Sequence, residues 1–76
     1  MLSFLVINEG KGIQIDCDQE GVSVLLKTLG ALIGERAGHR HLLSASNGGH
    51  ELSEVGVSGK PAVGEVIIDY VEADPS

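Results

Sequence analysis

The chain has 76 residues, a formal net charge of -6, and only one Phe, one Tyr and no Trp. A chain of this length forms a single domain with a thin core, because it buries only about 60% of the surface that its unfolded form exposes. The acidic balance and the scarcity of aromatic side chains argue against binding to nucleic acid or to anionic membranes, since both need a basic surface.

The first two predicted elements are strands that form a β-hairpin. Residues 2–8 are apolar at both alternating sets of positions, which is typical of a strand that is covered on both faces. Residues 9–12 contain Gly10 and Gly12, which accept the positive φ angles of a turn. In residues 13–17 apolar side chains alternate with Gln14 and Asp16, so this strand is expected to have one buried and one exposed face.

Residues 18–34 predict an amphipathic helix around which the rest of the chain is organised. Asp18 suits the N-cap position. Gly34 or Gly38 is expected to end the helix, and Gly30 is interpreted as a close crossing with a strand. The apolar residues recur at helical spacing and define one stripe, expected to be buried against the strands: Val22, Leu25, Leu26, Leu29, Leu32 and Ile33.

The second half of the chain predicts shorter elements. Alternation predicts strands at 39–45 and 65–71, with a loop at 46–49 and a possible short extended segment at 50–53. Residues 54–64 are rich in Gly and Ser and predict a flexible loop, and residues 73–76 form a polar tail.

The order β-β-α-β-(β)-β predicts one α+β domain over residues 1–76. We expect a mostly antiparallel sheet of about four strands, with the amphipathic helix packed on one face. Its core is expected to include the following residues: Phe4, Val6, Ile13, Ile15, Leu25, Leu29, Leu42, Val66 and Ile68.

Neither glycine-rich segment matches a phosphate-binding loop. The segment that ends in Lys60-Pro61 has Glu54 where such a loop needs glycine, and Pro61 where it needs a hydroxyl residue. Residues 10–12 precede a strand, whereas a dinucleotide-binding fingerprint opens a helix. A domain of this size also leaves little room for a substrate pocket. We therefore expect no enzyme activity and no cofactor.

Two histidines are the best metal-ligand candidates, because residues at i and i+2 of a strand point the same way. His39 and His41 could in principle combine with His50, Cys17 or Asp69. Structural zinc sites usually show CxxC or HxxxH clusters, and the sequence has neither. The preferred interpretation is therefore a pair of exposed histidines that neighbour carboxylates, without a bound metal.

The last third of the chain is rich in carboxylates. If the final strand exposes Glu65 and Asp69 on one face, and residues 51–54 lie beside it, these groups form an acidic patch. Such a patch suits a basic protein partner. The alternative is an ordinary solvated face, because a net charge of this size is common in small soluble domains.

Eight short segments carry a resemblance to a known family: FLVINE at 4–9, IQI at 13–15, CD at 17–18, EG at 20–21, HRHL at 39–42, GG at 48–49, ELS at 51–53 and GEVII at 64–68. With these segments the chain resembles the immunity protein 32 family, small bacterial proteins of polymorphic toxin systems. The resemblance spans nearly the whole chain. It implies an α+β fold and a non-enzymatic role, in which the protein binds and neutralises a cognate toxin, often of nuclease type.

The resemblance implies inhibition by occlusion of a basic toxin domain. The expected contact residues are His39, His41, Glu51, Glu54 and Asp69. The alternative function is a structural or regulatory interaction module, including a homodimer formed through an exposed sheet edge. The protein is expected to be a monomer or homodimer. A cytoplasmic location is expected, because the chain has a single cysteine and lacks the basic start of a signal peptide.

Overall fold

A computed structural model of the chain describes residues 1–72 and shows an α+β domain. Its strands are β1 (Leu2–Ile7), β2 (Gly12–Cys17), β3 (His39–Leu43) and β4 (Glu65–Asp69), and helix α1 (Gln19–Glu35) connects β2 to β3. Both strand pairs, β1 with β2 and β3 with β4, are antiparallel. The predicted α+β fold is therefore confirmed, whereas the predicted polar tail lies outside the described residues.

The four strands form two separate two-stranded sheets rather than one continuous sheet. An irregular segment takes the place of a third strand along β1. The N–H of Ser53 donates to the carbonyl of Leu2 at 2.7 Å, and the N–H of Val63 donates to that of Phe4 at 2.8 Å. Because these bonds occupy the free edge of β1, neither β3 nor β4 can join this sheet there.

The predicted loop at 54–64 is irregular, and it covers the face of β1 that points away from the helix. The side chain of Ser3 donates to the carbonyl of Val55 at 2.8 Å. Gly56 lies so close to Leu5 that a Cβ on Gly56 would stand 2.6 Å from its Cδ2 atom. Both faces of β1 are therefore covered from Leu2 to Leu5, as the apolar character of the strand predicted, whereas Val6 is exposed.

Helix α1 begins as predicted and ends between the two glycines that were predicted to end it. The Asp18 carboxylate accepts a hydrogen bond from the N–H of Gly21 at 2.9 Å, which confirms Asp18 as the N-cap. The helix ends at Arg36, which has a φ of 55° and donates its N–H to the carbonyl of Leu32 at 2.8 Å. The prediction that Gly34 or Gly38 ends the helix is wrong, because the last turn closes through the backbone of Arg36 instead.

The close approach between the helix and the first sheet occurs at Gly21 rather than at Gly30. A Cβ on Gly21 would stand 1.8 Å from the carbonyl oxygen of Met1, whereas no atom lies within 4 Å of the corresponding point at Gly30. The interpretation of Gly30 as a close crossing is therefore wrong. The first turn lies against the start of β1 because Asp18 donates its own N–H to the carbonyl of Met1.

The core is small and consists mainly of leucine. Leu2, Leu42 and Leu52 form its centre, and five partly buried side chains pack against them: Phe4, Val24, Leu25, Val66 and Ile68. The expected core positions at Leu42, Phe4, Leu25, Val66 and Ile68 are thus confirmed.

Four expected core residues are exposed instead: Val6, Ile13, Ile15 and Leu29. Val6 pairs with Ile13 next to the turn of the first hairpin, whereas α1 starts at the opposite end, beside the pair of Leu2 and Cys17. The helix therefore covers the start of β1 and leaves the tip of the hairpin uncovered. For this reason 62% of Ile13 is accessible to solvent.

The buried side of α1 is rotated by roughly a quarter of a turn from the predicted stripe. The buried and partly buried positions are Gly21, Val24, Leu25, Thr28, Ala31 and Leu32. The remaining large apolar residues of the helix, Val22, Leu26, Leu29 and Ile33, are exposed and are called the apolar flank below. Within residues 1–72 the structure contains no helix that combines the length and the hydropathy needed to cross a membrane.

Candidate partner-binding surface

Alternation along β3 and β4 places a group of exposed side chains on one face of the second sheet, which these two strands form. In the strand register His39 lies opposite Asp69 and His41 lies opposite Ile67. Glu65 lies two residues before Ile67 and therefore shares this face. The other face of this sheet packs into the core. The five exposed residues, His39, His41, Glu65, Ile67 and Asp69, are called the outer face.

Each histidine of the outer face has a carboxylate neighbour. The Nδ1 atom of His41 lies 3.1 Å from Oε2 of Glu65, and that of His39 lies 4.0 Å from Oδ1 of Asp69. The two imidazole rings meet edge to face, with their centres 4.9 Å apart. Because solvent surrounds all four side chains, these pairs contribute little to stability and remain accessible to a partner.

Ile67 gives the outer face an apolar centre. It lies between Glu65 and Asp69 along β4 and is exposed. The carboxylates of Glu65 and Asp69 place two negative charges around this aliphatic side chain. An apolar contact surrounded by polar groups is the usual composition of a protein-binding site.

Two of the predicted contact residues, Glu51 and Glu54, lie in the loop after β3 and hold that loop in place. The Glu51 carboxylate accepts hydrogen bonds from the N–H groups of Leu43 and His50, at 3.2 and 3.1 Å. The Glu54 carboxylate accepts from the Ser46 hydroxyl and, at 2.8 Å, from the Ser46 N–H.

These hydrogen bonds also shift the acidity of both loop carboxylates. Hydrogen bonds from backbone N–H groups, first its own and then that of Leu43, hold the pKa of Glu51 below its ordinary value. The Ser46 hydroxyl, followed by the Ser46 N–H, lowers the pKa of Glu54. Of the five predicted contact residues, the structure therefore brings together His39, His41 and Asp69, and it uses Glu51 and Glu54 inside the loop.

The residues considered as metal ligands do not converge. Cys17 belongs to β2 in the first sheet, and His50 lies in the loop beyond β3. His39 and His41 each face a different carboxylate. Across the part of the chain that the structure describes, no three His, Cys, Asp or Glu side chains are grouped to hold a metal ion.

A depression of about 550 Å³ lies beside the turn of the first hairpin, and its ionisable side chains are those of Glu9 and Lys60. It is lined by residues 5–10 together with Lys60 and Pro61. The lining contains no histidine, cysteine or serine side chain.

Two members of the outer face, Glu65 and Ile67, were not among the predicted contact residues. Glu65 could have been selected, because its spacing of four residues from Asp69 puts both on one face of a strand. Ile67 gave no comparable signal, because a single aliphatic residue in an alternating strand fits a buried face as well as an exposed one.

Comparison of the chain with protein-family models, with curated proteins and with solved structures found no match. The chemistry of the exposed surfaces is therefore the basis for a functional proposal. Two of these surfaces are distinct: the outer face, which is charged, and the apolar flank, which is not.

Proposed function

We propose that this chain is a non-enzymatic protein-binding module that neutralises a basic partner domain, in the manner implied by its resemblance to immunity proteins. The observation that carries this proposal is the exposure of Ile67 between two histidine–carboxylate pairs on the outer face. The partner of this class is a toxin domain of nuclease type. Binding takes place in the cytoplasm, where the exposed thiol of Cys17 stays reduced.

Electrostatics favours a basic partner over an acidic one. The chain carries a net charge of -6, and two of its cations, Arg36 and Arg40, are paired with Glu72 and Glu35. The surrounding field is therefore negative, and it accelerates the approach of a positively charged protein.

A nuclease is a suitable target for occlusion because its substrate is a polyanion. The surface that binds nucleic acid is lined by Lys and Arg, which neutralise phosphates. On the outer face, the carboxylates of Glu65 and Asp69 accept hydrogen bonds from such side chains, and an Arg can bind a carboxylate through two bonds at once. Once these contacts form, with Ile67 buried at their centre, the nucleic acid can no longer reach the covered surface.

The test is co-expression with the product of the adjacent gene, with growth and complex formation on a sizing column as the readouts. The wild-type chain is expected to restore growth and to elute with the partner. Asp69→Lys is expected to abolish both effects, because it places a cation against a basic surface. Glu20→Lys makes the same change in charge in the first turn of α1, outside the outer face, and is expected to retain both.

Two results would contradict the proposal. One is a wild-type chain that neither restores growth nor forms a complex. The other is an Asp69→Lys variant that remains folded by circular dichroism and protects as well as Glu20→Lys does, since a mechanism based on the outer face cannot tolerate this reversal of charge.

A further inference from the structure

The apolar flank is a second exposed surface, and it has no role in the proposed binding of a basic partner. Its side chains are exposed to solvent by 41% at Val22, 63% at Leu26, 39% at Leu29 and 69% at Ile33. Exposed aliphatic residues that occur singly are ordinary on protein surfaces. Four of them on one face of a 17-residue helix are a continuous apolar surface.

The spacing of the apolar flank is that of a helix-pairing surface. Its residues are separated by four, three and four positions, which is the alternation of d and a positions in two consecutive heptads. A globular helix that only packs onto its own sheet needs one apolar side. Helix α1 has two, because Leu25 and Leu32 already pack on the inner side.

The protomer exposes more surface than a monomer of its mass requires. A folded monomer of 7.9 kDa exposes about 4,400 Å², whereas this chain exposes 5289 Å². The apolar flank contributes part of this excess of about 900 Å², together with exposed apolar side chains elsewhere on the surface. The radius of gyration of 13.6 Å likewise exceeds the value of about 11 Å for a compact domain of this length.

We propose that two copies of this chain form a dimer through their apolar flanks, with the two α1 helices antiparallel. The apolar flank is symmetric about the point between residues 27 and 28. An antiparallel helix of a second copy therefore places Val22 opposite Ile33, and Leu26 opposite Leu29, and every contact occurs twice. The antiparallel arrangement also opposes the two helix dipoles.

The composition of the apolar flank favours a second copy over a basic partner. All four side chains are aliphatic, so the contact removes no charge from water. A basic toxin domain would find no carboxylate here to attract it. The net charge of -6 does not prevent pairing, because the carboxylates of the helix, Glu20 and Glu35, project on other sides of α1.

The apolar flank and the outer face share no residue. The two proposals can therefore fail separately. The dimer is tested by molecular mass and the neutralising function by growth rescue, so neither result decides the other.

Sedimentation equilibrium across a range of protein concentrations tests the dimer directly. We expect twice the protomer mass of 7.9 kDa at high concentration and a Tm that rises with concentration. Leu26→Glu combined with Leu29→Glu is expected to raise the dissociation constant at least ~30-fold, since it places carboxylates at the centre of the interface.

A matched control keeps the result of the double variant interpretable. Lys27→Glu makes the same change of two charge units at an exposed position on another side of α1 and is expected to leave the mass unchanged. Circular dichroism checks that each variant folds. A wild-type chain that remains monomeric at every concentration would overturn the proposal, and so would a folded double variant that remains dimeric.

Cysteine cross-linking tests the antiparallel register, in a background that carries Cys17→Ala. A Leu26→Cys protomer is mixed with a Leu29→Cys protomer under mild oxidation. The expected product is a disulfide between the two different protomers, because these positions face each other in the antiparallel pair. Disulfides formed mainly between identical protomers would overturn the proposed arrangement.

Discussion

Replacing Gly21 by alanine is the sharpest test of how α1 is attached to the first sheet. The added methyl group would lie 1.8 Å from the carbonyl oxygen of Met1 and 2.7 Å from its carbonyl carbon. Real contacts of this kind are not shorter than 3.0 Å, so the helix or the strand has to move. The atoms in the way belong to the backbone, which cannot rotate aside as a side chain would.

The cost of this movement can be worked out from what it breaks. The carbonyl of Met1 accepts a hydrogen bond from the N–H of Asp18 at 3.1 Å, worth about 0.5–1.5 kcal/mol. The next residue, Leu2, lies at the centre of the core, and overpacking there costs about 1–3 kcal/mol. Alanine returns about 1 kcal/mol through its higher helix propensity. The expected net loss in the free energy of unfolding is about 1–3 kcal/mol.

Gly30→Ala is the matched control, because it makes the same change in the same helix. No atom lies within 4 Å of its Cβ position, so only the helix-propensity gain of about 1 kcal/mol remains. In a domain of this size Tm changes by about 4–8 °C for each kcal/mol. At one fixed protein concentration, thermal unfolding followed by circular dichroism should show Tm falling for Gly21→Ala and rising for Gly30→Ala. Equal stabilisation by both substitutions would refute the close contact with Met1.

Three further outcomes follow from the same contacts. Leu42→Ala should lower the free energy of unfolding in urea by about 2–5 kcal/mol, because only 2% of Leu42 is exposed, whereas Val57→Ala at an exposed position should change it by less than about 0.5 kcal/mol. The pKa of Glu51 is lowered in the folded state, so its carboxylate stabilises the protein above its ordinary pKa of 4.5 and loses this effect as the pH falls below that value. The free energy of unfolding of Glu51→Gln should therefore decline less steeply in acid than that of the wild type. Asp18→Asn should keep more helical circular dichroism than Asp18→Ala, because asparagine still caps the helix by accepting from the N–H of Gly21.

Local features of the fold could be predicted from the sequence, because they depend on neighbouring residues. The N-cap at Asp18 needs only its own carboxylate and the first helical turn. The first hairpin is likewise formed by two neighbouring strands joined by a short turn that contains Gly10. The division of these strands into two sheets could not be predicted, because it depends on Ser53 and Val63, which bond to a strand some fifty residues earlier in the chain.

The burial of apolar residues was the least predictable property. Val6 and Ile13 have the composition of core residues, yet the helix ends its coverage of the hairpin before reaching them. Likewise, the helix has enough apolar residues to bury either of two sides, and hydrophobic periodicity does not say which side meets the sheet. The interior formed around Leu2 and Leu52 instead.

In the candidate site, too, some positions could be predicted from the sequence and others could not. Alternation within β3 was sufficient to place His39 and His41 on one face, whereas the position of Asp69 opposite His39 depends on the register of β3 with β4. Glu51 and Glu54 lie in the loop after β3, where their carboxylates accept hydrogen bonds from backbone N–H groups that the sequence pattern does not reveal. The residues that share a face of one strand can be predicted from sequence, whereas the hydrogen bonds that residues make within a loop cannot.

The segment that bonds to Leu2 and Phe4 has a consequence for solubility. Residues 2–7, LSFLVI, contain no charge and no proline, and a segment of this type can recruit identical copies into fibrils when its edge is open. Ser53 and Val63 close that edge with their own N–H groups. The irregular segment therefore occupies two carbonyl groups on the edge of β1 that a strand of a second copy would otherwise have to use.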